Sequence, residues 1–215
     1  MASEHFENYL KSIYAIETDR GKVSTTILSE RLRISAASAT EMIKKLAEEG
    51  LIMHEPYKGV HLTETGKKQA LQIVRRHRLW ELFLVKVLQY EWDEIHDEAE
   101  RLEHIASDKL LNRIDEILGY PNRDPHGDPI PSADGKLKRA KLRSLSSVRG
   151  GESVKVTRVS DSNAEILQYL QKLGVRLGKK LAVRERMEFD GSFRVEIDGK
   201  KQFISAKLAQ HIYVE

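Results

Sequence analysis

The sequence contains no cysteine among its 215 residues. This absence excludes a disulfide scaffold, thiolate zinc sites, iron–sulfur clusters and a cysteine nucleophile. Long apolar runs are also missing, because no stretch approaches the ~18 residues of a membrane span. The first five residues lack the basic and apolar regions of a signal peptide. The sequence therefore predicts a soluble, cytoplasmic protein.

Charge of one sign is not in large excess either. The chain has 36 basic and 33 acidic residues and a net charge of +3, which neither requires nor excludes a nucleic-acid partner. Hydrophobic residues make up 40% and charged residues 32%, a balance that allows a packed core. Acids concentrate between Glu91 and Glu116, and bases between Lys136 and Arg149. An acidic run is ordinarily a solvated helix face, so its spacing decides what it means.

The N-terminal region carries the pattern of a small DNA-binding domain. Apolar residues recur at helical intervals over 6–14, and further helices are predicted after Ser24 and after Ser35. Short strands are predicted at 51–54 and 59–62. Two helices joined by a tight turn and followed by a hairpin predict a winged helix-turn-helix.

The helix that begins near Ala36 is the predicted recognition helix. Small side chains at its start let the backbone approach the major groove, and hydroxyls and an ammonium can contact phosphates or base edges. The predicted DNA-contacting residues are Ser35, Ala37, Ser38, Thr40, Glu41 and Lys44 on the helix, and Tyr57 and Lys58 at the hairpin tip. From this region alone, a structural three-helix core or a protein-binding winged helix stays an alternative.

A long helix is predicted from Thr63 towards Leu88, within a helical segment that reaches about residue 118. One stripe of the long helix is apolar, and Trp80 and Val85 lie outside it. A helix that is apolar on two sides often serves both a core and a dimer interface. A dimer also suits DNA, because two half-sites one helical turn apart match a two-fold protein.

The C-terminal region changes to strands. Four of the five prolines fall between Gly119 and Gly135, which predicts an irregular segment, and the basic stretch after it is predicted to be a tether. Strands are predicted at 153–159, 180–186, 192–197 and 210–214, with one helix at 164–173. The pattern indicates a small SH3-like barrel. The predicted domains are 1–74 (winged helix-turn-helix), 75–141 (helical, metal-binding and dimerising) and 150–215 (SH3-like).

Six imidazole and carboxylate side chains are predicted to share two neighbouring helical faces. Four recur at i, i+4, i+7 and i+8 of a helix that begins near Glu94, and two at i and i+4 of the helix before it. They are His96, Glu100, Glu103 and His104, and His77 and Glu81. A lone His–Glu pair is ordinarily a surface ion pair, but six such residues predict a site for a divalent first-row metal.

The available ligand types favour some metals over others. Carboxylate and imidazole suit Mn²⁺ or Fe²⁺, and Zn²⁺ and other tighter binders also fit, whereas Cu(I) and structural zinc prefer thiolates. Enzyme motifs are missing from the sequence: it has no H-E-x-x-H, no Glu-x-x-His, no phosphate-cradling glycine loop and no G-x-S-x-G.

At these motifs the chain resembles the diphtheria toxin repressor family of metal-dependent transcriptional repressors, over essentially its whole length. Three stretches carry the resemblance: Arg76–Glu81, Ile95–His104 and Pro125–Pro131. The C-terminal part is similar to the SH3-like (FeoA-like) domain of the longer members. The resemblance implies a mainly α-helical protein with a small β-barrel at its C-terminus.

The resemblance also implies two metal sites. One would use Asn8 of the first helix with Glu100, Glu103 and His104, and the other would use His77, Glu81, His96 and Asp161. Asp161 is equally compatible with a helix N-cap before Ala164.

Three positions bear on the choice of metal. The iron-responsive branch carries a cysteine where this chain has Glu100, and a hard carboxylate favours manganese. The manganese branch places an acid at Asn8, whose amide oxygen ligates without contributing charge. Lys11 replaces an acid of some shorter relatives, which argues against their binuclear site. Glu4, His5 and Glu7 lie near Asn8, but helical phase points them elsewhere.

The resemblance implies a homodimeric repressor that binds double-stranded operator DNA in response to Mn²⁺ and controls metal homeostasis, with Zn²⁺, Co²⁺ or Cd²⁺ able to substitute in vitro. No membrane and no small organic substrate are expected. The alternatives are an Fe²⁺-responsive member of the same family, a small metalloenzyme, and a metal-buffering or adaptor protein that uses its SH3-like barrel.

Overall fold

The computed structural model describes residues 4–55, 59–138, 141–161 and 163–215. The chain forms two compact units. The first comprises the residues up to His77 together with Glu100–Asn112 and Ile130–Leu137, and the second comprises Arg78–Ala99, Arg113–Pro129 and Lys138–Glu215. The three predicted domain boundaries stay a prediction.

The first unit begins with three helices and a hairpin. These are α1 (Glu4–Arg20), α2 (Thr25–Leu32), α3 (Ala36–Glu48), β1 (Ile52–Glu55) and β2 (Gly59–Leu62). The hydroxyl of Ser24 accepts the amide hydrogen of Ile27, and the hydroxyl of Ser35 accepts that of Ser38, so both predicted N-caps form. The two strands pair antiparallel.

Apolar side chains from these elements form one core. Leu10 and Ile13 of α1, Leu28 of α2, and Ile43 and Leu46 of α3 are almost completely buried together. Burial of one such side chain contributes roughly 1.5–3 kcal/mol, which fixes α1 against the two helices that follow it. The predicted winged helix-turn-helix architecture is confirmed.

Three further helices follow: α4 (Glu64–Lys86), α5 (Ile95–Leu102) and α6 (Asp108–Ile117). Thr63 caps α4 as predicted, since its hydroxyl accepts the amide hydrogen of Gly66. The prediction that one helix carries the residues from His96 to His104 was wrong, because α5 ends at Leu102. Glu103 and His104 lie in the turn that leads to Ser107, whose side chain accepts the Leu110 amide hydrogen at the start of α6.

The second unit contains a six-stranded antiparallel sheet. Its strands are β3 (Arg143–Ser144), β4 (Ser153–Val159), β5 (Lys180–Arg186), β6 (Phe193–Ile197), β7 (Lys200–Ile204) and β8 (Ile212–Val214), in the order β3-β8-β4-β5-β6-β7. Helix α7 (Ala164–Lys172) follows β4, and the short α8 (Ala206–Ala209) precedes β8. The strands at 153–159 and 180–186 have their predicted bounds. Strand β7 and helix α8 were not predicted.

The basic stretch after residue 136 is not wholly a tether. Arg143 and Ser144 pair with β8, and a short 3-10 helix, Leu145–Ser147, follows them. Leu145 and Val148 are completely buried in the core of the sheet. Two apolar residues in this otherwise polar stretch therefore anchor it, and the prediction of a tether holds at most for the residues before β3.

The proline-rich segment is irregular, as predicted, and part of it is fixed to the sheet. The Val159 amide of β4 donates to the carbonyl oxygen of His126. Gly127 has a φ of +92°, and a Cβ atom built on it would lie 2.1 Å from the carbonyl oxygen of Thr157. Only glycine allows both this backbone conformation and this close approach.

Replacing Gly127 by alanine is expected to destabilise the second unit. The matched control is Gly174→Ala, because Gly174 has a φ of +78° with nothing within 4 Å of an added Cβ. In both variants a residue with a Cβ atom must adopt a left-handed backbone conformation, which lowers the free energy of unfolding by about 1–2 kcal/mol. Overpacking against Thr157 should lower it by a further ~1–3 kcal/mol in Gly127→Ala only. Denaturant unfolding measures the difference, and equal losses of stability in the two variants would contradict the close approach.

Candidate metal centre

Glu103 is the centre of a first cluster of metal-ligand side chains, in the first unit. It is completely buried. Its Oε2 accepts a hydrogen bond from Nδ1 of His77 at 2.5 Å, and its Oε1 accepts one from the ammonium of Lys11 at 2.5 Å. One ligand atom each of His77, Glu100 and Glu103 lies within 4.8 Å of the others. His77, which was predicted for the second site, therefore also contacts this cluster.

His104 completes the first cluster from the turn after α5. Its Nδ1 donates to Oε2 of Glu7 at 2.6 Å, and Arg76 donates to the other Glu7 oxygen at 2.6 Å. Its Nε2 lies 3.0 Å from Oδ1 of Asn8 and 3.4 Å from Oε1 of Glu103. The prediction that helical phase points Glu7 elsewhere was wrong, since Glu7 contacts His104 directly.

The first cluster suits a cation. Because Glu7 holds the Nδ1 hydrogen of His104, the neutral imidazole keeps its lone pair on Nε2, beside Asn8 Oδ1 and Glu103 Oε1. Three acceptor atoms that face one another repel unless a cation lies between them. A carboxylate that orients a ligating histidine through its second nitrogen is the usual outer arrangement of such sites.

A second cluster lies in the second unit. Oε1 of the buried Glu81 is 3.5 Å from Nδ1 of His96 and 3.9 Å from Nε2 of His126. His126 is completely buried, and neither of its ring nitrogens makes a hydrogen bond among the described residues. Its ring stacks on Trp92 with 5.3 Å between centroids. A buried imidazole without hydrogen bonds is costly, and a metal ion would satisfy it.

Electrostatics in the second cluster also fit a cation. Burial raises the pKa of Asp124 well above its ordinary value, and the nearby charge of Glu81 raises it further. Burial lowers the pKa of His126, against the opposing effect of Glu81 and Asp161. The pocket thus disfavours both an ionised carboxylate and an imidazolium. A divalent ion bound there would stabilise the ionised carboxylate.

Asp161 is placed within electrostatic reach of the second cluster, since its charge acts on both Asp124 and His126. The alternative that Asp161 caps α7 was wrong. Asn163 caps that helix, because its Oδ1 accepts the Glu165 amide hydrogen at 2.7 Å. An asparagine one residue before the helix is an N-cap as good as aspartate, so the spacing alone did not decide between them.

Asp124 and His126 were not predicted as candidate ligands from the sequence. They lie in a proline-rich loop with no helical spacing to mark them. Oδ1 of Asp124 accepts the amide hydrogens of His126 and Asp128, and Arg78 lies 3.3 Å from its other oxygen. The signal that could have found them was an Asp-x-His pair inside the proline-rich segment.

The predicted recognition surface is exposed on α3. Its exposed residues are Ser35, Ala37, Ser38, Thr40, Glu41 and Lys44. Some of these groups have local partners: Thr40 donates to the carbonyl of Ala36, and Glu41 accepts from Lys45. Tyr57 and Lys58 lie outside the described residues. Among the described residues, no helix has the length and apolar character that a membrane crossing requires.

Three family matches together span most of the chain. Residues 1–60 match the iron dependent repressor N-terminal DNA binding domain, residues 63–132 match the iron dependent repressor metal binding and dimerisation domain, and residues 143–215 match the FeoA domain. The matched order agrees with the predicted fold class, which is confirmed.

Individual relatives agree with these matches. The iron-dependent repressor IdeR of Mycobacterium leprae is 31% identical over 70% of this chain and 68% of its own length. The diphtheria toxin repressor of Corynebacterium efficiens is 31% identical over 82% of this chain and 81% of its own length.

Solved structures are similar over nearly the full length. A manganese-dependent transcriptional repressor in complex with manganese is 46% identical, covers 97% of this chain and 98% of that chain, and superposes with a TM-score of 0.91. The repressor ScaR with bound Cd²⁺ is 36% identical over 98% of each chain, with a TM-score of 0.82. The chain therefore belongs to the diphtheria toxin repressor family and is a metal-dependent transcriptional repressor.

Proposed function

We propose that this repressor responds to Mn²⁺, acts as a homodimer and binds double-stranded operator DNA of metal-homeostasis genes. The observation that carries the choice of metal is the donor set around Glu103, which offers carboxylate, amide and imidazole groups and no thiolate. Such hard and borderline donors suit Mn²⁺. The similarity to a manganese-dependent repressor supports the same choice over Fe²⁺.

Asn8, Glu100, Glu103 and His104 would hold the ion of the first site, with Glu7 orienting His104. Glu81, His96, Asp124, His126 and Asp161 would hold the ion of the second site. A bound divalent ion supplies positive charge that offsets the repulsion among these acids. No catalytic step is part of the proposal, because the family acts by binding DNA.

The first site is joined to the recognition helix through α1. Asn8 precedes Tyr9, whose hydroxyl lies 3.5 Å from the carbonyl oxygen of Ser38 in α3, and Leu10 is buried in the shared core. Fixing α1 at Asn8 and His104 therefore limits the positions available to α3. A shift of the DNA-competent population from 1:99 to 99:1 requires about 5.5 kcal/mol of differential metal binding.

Homodimer formation is supported by apolar side chains at the solvent surface of the second unit. Val87, Leu88, Ile117 and Tyr120 are between 43% and 70% exposed. Exposed apolar side chains that form a contiguous patch are typical of protein interfaces.

Replacing Glu103 by glutamine is expected to abolish metal-stimulated operator binding. Loss of this buried charge removes a ligand from the first site, and the Mn²⁺ concentration needed for half-maximal binding should rise at least about 100-fold. His104→Ala should behave alike. Asp97→Asn, on the exposed side of α5, is the control. Mobility-shift titrations with Mn²⁺ measure the response, and a Glu103→Gln response equal to wild type would refute the site.

Replacing His126 by alanine is expected to remove one equivalent of bound Mn²⁺ and leave the first site intact. The matched control is His211→Ala, a histidine of the same unit that is not in the cluster. Equilibrium dialysis counts the bound ions. If His126→Ala kept the wild-type stoichiometry, His126 would be a structural residue only.

Replacing Lys44 by alanine is expected to weaken DNA binding without changing Mn²⁺ uptake. Lys44 is exposed on α3 and suits a phosphate contact, so the loss of affinity should be similar across operator sequences. The slope of log affinity against log salt concentration should fall by about one. Lys172→Ala, on α7, is the control. Unchanged affinity and salt slope would exclude Lys44 from the DNA interface.

A further inference from the structure

The side chain of Lys11 reaches from α1 into the first cluster. Its ammonium lies 2.6 Å from Oε1 of Glu100 and 2.5 Å from Oε1 of Glu103. The Lys11 side chain is 17% exposed and that of Glu103 is 0% exposed. These contacts differ from the many lysine–carboxylate pairs of protein surfaces, because one of the two carboxylates has no access to solvent.

The ammonium of Lys11 stands where a metal ion would need to bind. Oε2 of Glu103 is already engaged by His77, which leaves Oε1 as the oxygen that faces His104 Nε2, 3.4 Å away. Lys11 donates to this same Oε1. An ion that is ligated by Glu103 and His104 together therefore competes with Lys11 for one oxygen atom.

Position on the helix strengthens this competition. Lys11 follows Asn8 by three residues, so both side chains lie on one face of α1. The neutral amide adds no negative charge to the site, and the ammonium adds positive charge. Both features lower the attraction of the site for a divalent cation.

Building on the proposed function, we propose that Lys11 is a tethered counter-ion of the metal-free first site, displaced by the metal, and that it raises the metal concentration at which the repressor responds. In the metal-free protein the ammonium compensates the buried charge of Glu103 and the repulsion between Glu103 and Glu100. On metal binding it leaves Glu103 Oε1 and its head group turns towards solvent, while the aliphatic stem keeps its place on α1.

The test compares Lys11→Met, which keeps an apolar stem, with wild-type full-length protein. Calorimetric Mn²⁺ titration should show one site that binds at least 10-fold more tightly in the variant. The metal-free variant should unfold at a lower temperature than metal-free wild type, and saturating Mn²⁺ should remove that difference. The control is Lys179→Met, which breaks the exposed pair of Lys179 with Asp198 and should change neither quantity. Lys11→Gln is a second variant with the same expected result.

A measurement on wild-type protein is independent of folding in the variants. Lys11 can be acetylated with a water-soluble, amine-reactive acetylating reagent, and the rate can be followed by mass spectrometry. The rate at Lys11 should be low without metal and at least 10-fold higher with Mn²⁺, whereas the rate at Lys179 should not change. Lys11 reactivity that is unchanged or lower with Mn²⁺ would overturn the displacement.

The outcomes separate the two proposals. Wild-type protein that binds Mn²⁺, with Lys11→Met binding equally or more weakly, would reduce Lys11 to a structural ion pair and leave the proposed function standing. Absence of Mn²⁺ binding in wild type and both Lys11 variants would overturn both proposals.

Discussion

The charge of one buried carboxylate, that of Glu103, organises the first unit. Removing an ionised group from water costs several kcal/mol unless hydrogen bonds and opposite charges compensate. Here the compensation comes from two distant places in the chain, Lys11 of α1 and His77 of α4. Because these partners are far apart in sequence, satisfying Glu103 requires that the helices be assembled. The same requirement makes the site sensitive to whichever cation supplies the compensation.

The two clusters differ in how the cost of burying their carboxyl groups is offset. In the first, protein cations from Lys11 and Arg76 balance the acids. In the second, the pKa of Asp124 is raised by burial and by Glu81, and His126 stays neutral. In the proposed scheme, a metal ion at the first cluster takes the place of the Lys11 ammonium. At the second cluster its charge would oppose the upward shift of the Asp124 pKa.

Sequence patterns predicted most of the local structure and part of the site. The caps at Ser24, Ser35 and Thr63 were predictable because a hydroxyl before a helix satisfies amide groups wherever it occurs. Strand β4 was predictable because its alternating residues face a core. The end of α5 at Leu102 was not predictable, since Glu103, His104 and Ile105 are compatible with a helix and the cap of α6 at Ser107 decided the outcome.

Contacts between distant segments explain the rest of the differences. Glu7 meets His104 across 97 positions, and no spacing rule connects them. His126 lies near Glu81 because its loop is fixed by Gly127 and by the hydrogen bond from the Val159 amide to the His126 carbonyl oxygen. The family resemblance identified candidate ligands on helices and directly after α5, together with Asp161, and did not identify those in the irregular loop.

Strand β7, at one end of the C-terminal sheet, has a further consequence. A strand at the end of a sheet offers unpaired backbone groups to any other extended chain, and a protein that pairs with its own copies brings two such strands into one particle. β7 begins with Lys200 and Lys201, both exposed. Mutual repulsion of these ammonium groups opposes edge-to-edge pairing of β7 with another copy of the sheet.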